Sequence, residues 1–218
     1  MLALYGHPFS SYTWKAQIAL HALRLDHDFR VIDADHPEHG HFVATQAGPL
    51  GQFPVLVDGD HVIFEASCIV EYLSLHHGEG LQLIPDDPDA ALAVRMLDRV
   101  FDLGVMNAVQ AAVAEALRHP GAPDAEVLAE LRGKLRQSYG WLERWLACSW
   151  PDPGHVTMIE CAAAPALFYA DWVEEISSQF PHLRRWRAQL NALPEVSACI
   201  EAARPFRPYF PLGAPDRD

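Results

Sequence analysis

The chain has 218 residues, half of them hydrophobic, with 29 acidic against 16 basic side chains and a formal net charge of −13. Such a composition is globular, and a chain of this length buries about 70% of its unfolded surface on folding, so no disulfide staples are required. The acidic excess repels nucleic acid phosphates and no basic patch offsets it, which argues against a nucleic acid partner.

Residues 2–5 form a short apolar run ended by Gly6 and Pro8, followed by a stretch in which Trp14, Ile18 and Ala22 recur at helical spacing. This reads as strand, turn, helix. Phe29 and Val31 alternate with Arg30 in a second strand, and residues 33–51, rich in His, Gly and Pro, read as loop with room for a short helix. Pro54-Val55-Leu56-Val57, then Asp58-Gly59, then His61-Val62-Ile63-Phe64 predicts a hairpin, because Asp-Gly suits a tight turn with positive φ. A helix follows over 67–77. A right-handed crossover makes the first two strands parallel, and the hairpin adds antiparallel ones.

Residues 1–77 thus form a small α/β domain, 78–88 a linker with helix breakers, and 89–218 an all-helical domain without a convincing strand. Leu92, Met96, Val100 and Leu103 repeat at helical spacing, as do Val127, Leu131, Leu135, Leu142 and Leu146. Thr157-Met158-Ile159-Glu160 has capping-box spacing and opens an apolar helix running through Trp172.

The longest apolar runs, 161–169 among them, are shorter than the roughly 20 residues that span a bilayer, and no secretory signal opens the chain. A cytoplasmic protein without a membrane partner is expected. Cys68, Cys148, Cys161 and Cys199 form neither a CxxC pair nor a metal-ligand spacing, so reduced structural thiols are expected. His36, Glu38, His39 and His41 read as a solvated loop, and no metal is expected.

Three segments can carry chemistry. Tyr5-Gly6-His7-Pro8-Phe9-Ser10-Ser11-Tyr12 leads from the first strand into a helix N-terminus, where hydroxyls and backbone amides can face an anion together. On spacing alone, Ser10 or Ser11 is simply the N-cap. Gln52-Phe53-Pro54-Val55 precedes a strand, and a proline there can be cis. Phe64-Glu65-Ala66-Ser67 joins the last strand to a helix whose dipole favours a carboxylate, or whose start Ser67 or Glu65 caps.

These elements, in this order, resemble the glutathione S-transferase family over nearly the whole chain, in particular its soluble bacterial-type members with a serine at the active site. The resemblance rests on Leu4-Tyr5-Gly6, on 51–59, on Phe64-Glu65-Ala66-Ser67 with the helix after it, and on 157–165. It implies a thioredoxin-like N-terminal domain that binds glutathione, an all-helical C-terminal domain and a homodimer. Glutathione would be a co-substrate, without a metal, and its thiolate would be stabilised for transfer to a hydrophobic electrophile. By resemblance Ser10 donates to the sulfur, with Ser11 as the competing choice, and Tyr12 occupies the position at which other members carry a cysteine. Tyr5 precedes the tyrosine position of other members by one residue, and strand alternation turns it away. Phe53 before a cis Pro54 would pair with the cysteinyl part, Gln52 and His41 would approach the glycyl end, and Glu65, Ala66 and Ser67 the γ-glutamyl end. Ala66 departs from the hydroxyl that many members carry. Met106, Val109 and Gln110 are expected in the electrophile pocket. The alternatives are a non-catalytic carrier or interaction protein of the same fold, or a glutathione-dependent isomerase, dehalogenase or peroxidase.

Overall fold

The computed structural model describes residues 1–78, 80–148 and 154–217. Its N-terminal half runs β1 (Leu2–Gly6), α1 (Ser11–Ala22), β2 (His27–Val31), α2 (Pro37–Gln46), a 3-10 turn (Gly48–Leu50), β3 (Val55–Asp58), β4 (His61–Phe64) and α3 (Ala66–His77). The sheet order is β2-β1-β3-β4, with β1 parallel to β2 and antiparallel to β3. Asp58 pairs with His61, so the hairpin turns through Gly59 and Asp60, and Gly59 supplies the positive φ of +57°.

Both faces of β1 are covered, and its alternation decides which residue serves which face. Leu2 and Leu4 enter the main core with Trp14 and Ile18 of α1 and Ile69 of α3. Ala3 and Tyr5 turn to a smaller cluster with Val43 of α2 and Val55 of β3. Tyr5 stacks on Phe42 with ring centroids 4.4 Å apart, and its hydroxyl accepts a hydrogen bond from Arg30. It therefore points away from the β1–α1 turn, as alternation predicts.

Part of the His-rich stretch that reads as loop is helix α2. Pro37 stands in the first turn, where a missing N–H costs nothing, and Val43 and Phe42 dock on the outer face of the sheet. Stacking of His36 on His39 and a hydrogen bond from His36 to Asp33 belong to this corner. Among the described residues no group of side chains has the arrangement of a metal site.

The helical half contains α4 (Pro88–Arg99), a π-helical stretch (Val100–Met106), α5 (Asn107–Arg118), α6 (Ala125–Cys148), α7 (Met158–Val173), α8 (Pro181–Ala192), α9 (Pro194–Ala203) and a 3-10 segment (Arg204–Tyr209). The chain is helical from Pro88 to Arg118, and by length and mean hydropathy, 1.3, this stretch meets the criteria of a membrane span that short apolar runs do not reveal. Its Val94, Phe101, Val105 and Val109 are instead core residues, on elements packed with α7, and Leu97 is buried as well. Thr157 and Glu160 form the predicted capping box, and α7 is buried along almost its entire length. Phe168, Tyr169 and Trp172 are core residues of this helix. Because α1 packs on α7 and α9, the two halves share one core, and a cleft is left between the β1–α1 turn and the π-helical stretch.

Candidate active site

Two cavities meet in this cleft. The first is lined by Gln52, Phe53, Pro54, Glu65 and Ala66 from the N-terminal half, and by Arg99, Asp102 and Asn107 facing them. Tyr12 closes one side. The second is apolar and of about 320 Å³. Ser10, Ser11 and Phe53 line it from the N-terminal half, and Met106, Val109 and Gln110 from the long helix. Phe9, Tyr169 and the tail residues Tyr209, Phe210 and Pro211 complete it. Phe53 belongs to both.

The turn entering α1 is rigidly bonded. Gly6 permits it, since a Cβ there would sit 2.6 Å from the Thr13 side chain. Phe9 N–H donates to His7 Nδ1 at 3.1 Å, and burial holds the His7 imidazole below its ordinary pKa, in the neutral form that such acceptance requires. Ser10 is the N-cap, its Oγ accepting the Thr13 N–H at 3.2 Å. A hydroxyl both accepts and donates, so the capping role leaves the Ser10 proton free for a second partner. Cap and thiolate donor are therefore compatible readings of one residue.

The Phe53–Pro54 peptide is cis. Glu65 has φ +66°, a left-handed conformation that side chains disfavour and that concentrates at ligand sites. It precedes α3 without capping it, and Ser67 does not cap it either, so the first amides of α3, Ala66 among them, face the first cavity's wall without a side-chain acceptor. An anionic group fits there.

Ser67 points instead into a buried polar junction. Its Oγ receives Lys15 Nζ at 2.8 Å and donates to Asp98 Oδ2 at 2.8 Å. Lys15, 1% exposed, ion-pairs with Asp98 and Asp102, and Arg99 joins the same carboxylates. Two cations and two anions thus form one network, of which Arg99 and Asp102 line the first cavity and Lys15 and Asp98 lie buried beside it. His41 is exposed on α2 and lines neither cavity.

Tyr12 is pushed up to about 12, chiefly by burial and next by Asp102, and remains a neutral hydroxyl in the cleft. Burial raises the thiols of Cys68, Cys161 and Cys199. Among the described residues lining the two cavities there is no cysteine. An apolar chamber beside the serine hydroxyls and open helix amides can stabilise an anion brought in by a ligand, and no cysteine among the described residues lines it.

Residues 4–80 match the domain family described as glutathione S-transferase, N-terminal domain, and residues 125–189 match its C-terminal domain. Glutathione S-transferase PARB of Nicotiana tabacum is 32% identical over 88% of this chain and 94% of its own. The chain belongs to the glutathione S-transferase family. Among solved structures of the family, a glutathione S-transferase of Methylobacillus flagellatus with GSH bound is 27% identical, covers 91% of this chain and 98% of its own, and superposes with a TM-score of 0.78. A maleylacetoacetate isomerase of Anaeromyxobacter dehalogenans with bound GSH is 25% identical, covers 91% and 94%, and has a TM-score of 0.72. The thioredoxin-like sheet domain followed by a helical domain is the fold of this family.

Proposed function

We infer that this protein is a glutathione transferase of the serine type. Reduced glutathione would lie in the first cavity, its γ-glutamyl carboxylate at the open amides of α3 and its cysteinyl backbone against Phe53. The sulfur would then reach the mouth of the apolar cavity, where the second substrate sits among Met106, Val109 and Gln110. The observation carrying this reading is that a polar cavity and an apolar one meet at Phe53, beside a Ser10 hydroxyl whose proton is uncommitted.

The magnitudes suffice. A hydrogen bond to a charged group is worth roughly 1.5–3 kcal/mol and one pKa unit is about 1.36 kcal/mol, so one hydroxyl moves a thiol from about 8.5 to roughly 6.5–7.5. The ligand's thiol then becomes a substantial fraction thiolate at neutral pH. Titration of the thiolate absorbance of bound glutathione tests this: Ser10→Ala should raise the midpoint by about one to two units, and an unchanged midpoint removes Ser10 from the mechanism.

Glutathione-dependent isomerisation is a second reading of the same site, supported by the likeness to a maleylacetoacetate isomerase. A homodimer completes the proposal. Leu92, Met96 and Leu103 are exposed along one side of the long helix, near the half-exposed Trp141 of α6. That apolar stripe suits a second copy of the chain, and Met96→Glu should shift the sedimentation coefficient to that of a monomer.

A further inference from the structure

The turn between β1 and α1 satisfies nearly all of its polar groups internally. Pro8 O accepts the Trp14 indole N–H at 2.6 Å, and Phe9 O accepts the Tyr169 hydroxyl at 3.1 Å. Ser10 Oγ accepts from Thr13. Ser11 is the exception. It is only 5% exposed, and its Oγ has no hydrogen-bond partner among the described residues. As the first residue of α1 it has no helical carbonyl four residues back to donate to. Yet it lines the apolar cavity beside Ser10, with Met106, Val109 and Val113. A buried, unpartnered hydroxyl is unfavourable until an acceptor reaches it. The cavity that Ser11 lines gives such an acceptor a place to sit.

We propose that Ser11 is a specificity-determining residue whose O–H donates to an oxygen of the second substrate, one that gains negative charge as the glutathione sulfur attacks. The cavity accordingly selects conjugated carbonyl electrophiles over alkyl halides. This rests on the glutathione-transferase reading above and divides labour between consecutive hydroxyls, Ser10 for sulfur and Ser11 for oxygen. In the step, the thiolate electron pair forms the S–C bond at the β-carbon, the C=C π pair moves to join the α-carbon to the carbonyl carbon, and the carbonyl π pair moves onto oxygen. Ser11 hydrogen-bonds the resulting enolate, and the first amides of α1 add positive potential. Water then protonates the α-carbon, the carbonyl re-forms, and the product is a thioether with no group expelled. An alkyl halide places the displaced charge on a diffuse halide ion and leaves the Ser11 hydroxyl without an oxygen partner. A site built to donate a hydrogen bond discriminates against the analogue that lacks the acceptor.

Two glutathione thioethers that differ by one carbonyl, S-(3-oxobutyl)glutathione and S-butylglutathione, test the assignment by calorimetry. The wild type should bind the oxo adduct roughly three- to tenfold more tightly, and Ser11→Ala should erase that preference. Equal binding of the two by the wild type, or a preference that survives in Ser11→Ala, overturns the proposal while leaving glutathione binding intact. If neither adduct binds, the glutathione reading itself falls and takes the proposal with it. In turnover, the ratio of rates on 3-nonen-2-one and benzyl chloride should fall roughly ten- to hundredfold in Ser11→Ala; an unchanged ratio refutes the assignment. So does a thiol midpoint of bound glutathione that rises in Ser11→Ala as far as in Ser10→Ala, because Ser11 would then serve the sulfur.

Discussion

Lys15 Nζ lies 3.0 Å from Asp102 Oδ2, which ties the first helix of the sheet domain to the helix that walls the cleft. The same ammonium pairs with Asp98 and donates to Ser67 Oγ, so one buried cation joins α1, α3 and the long helix. Removing it leaves the buried Asp98 with only the half-exposed Arg99 and the Ser67 hydroxyl, and breaking a buried pair from one side costs up to about 3–5 kcal/mol, whereas replacing both partners by apolar side chains of similar size is often neutral. Lys15→Met should therefore unfold at markedly lower urea, and Lys15→Met combined with Asp98→Leu should recover more than half of the loss. Equal midpoints for the single and double variants would show that the pair carries no coupling.

Ser10 has two separable roles, and substitutions distinguish them. Loss of an N-cap typically costs about 1 kcal/mol. Ser10→Ala should lose that stability together with the thiolate donor, whereas Ser10→Thr retains both a cap and a hydroxyl. Denaturant titration and the thiol midpoint, measured on both variants, should move together in alanine and stay near wild type in threonine.

How much of this was legible in the sequence follows from the range of the interactions. The strands, the hairpin, α3 and the Thr157 box were readable because alternation, turn residues and capping spacing are local. Met106, Val109 and Gln110, at helical spacing, do share the apolar cavity with both serines. Lys15 was missed because its partners lie 83 and 87 positions away, at Asp98 and Asp102. The one local clue was a charge set beside Trp14 in a helix whose whole middle is buried. Part of 33–51 is helix because Phe42 and Val43 dock on the sheet, a tertiary contact that outweighs Gly40. Ser67 sat in a plausible capping position yet faces the ionic junction, since its partners there, Lys15, Asp98 and Arg99, are all remote in sequence. In the tail, Pro205, Pro208 and Pro211 mark a rigid segment that packs on the body, but which cavity it lines is set by contacts remote in sequence.

That tail offers a site where binding and stability separate. Tyr209 is 76% exposed yet lines the apolar cavity, while Phe210 is buried against Trp172 with ring centroids 5.1 Å apart. Tyr209→Ala should change stability by less than about 0.5 kcal/mol, as exposed substitutions usually do, and raise KM for a hydrophobic electrophile without altering KM for glutathione. Phe210→Ala should lower the unfolding midpoint as well, because it leaves a cavity against Trp172 and Tyr169. A Tyr209→Ala enzyme with unchanged KM for electrophiles of every length would exclude the tail from substrate contact.

Glu160 gives the pH dependence a testable sign. Its carboxylate closes the capping box, accepting the Thr157 N–H at 2.8 Å and the Thr157 hydroxyl at 2.6 Å. Burial nonetheless outweighs these bonds and raises its pKa above the ordinary carboxylate range. Between the unfolded and the folded ionisation, the native state holds more protons than the unfolded one, so this group's contribution to stability falls as pH rises through that window. Glu160→Gln keeps an acceptor for the cap and cannot ionise. Measured by denaturant titration at several pH values, the stability of the wild type relative to Glu160→Gln should decline from the ordinary carboxylate range upward and level off once Glu160 is ionised in the native state. A difference that instead grows in favour of the wild type over the same window would mean that the hydrogen bonds from Thr157, rather than burial, set the ionisation of Glu160.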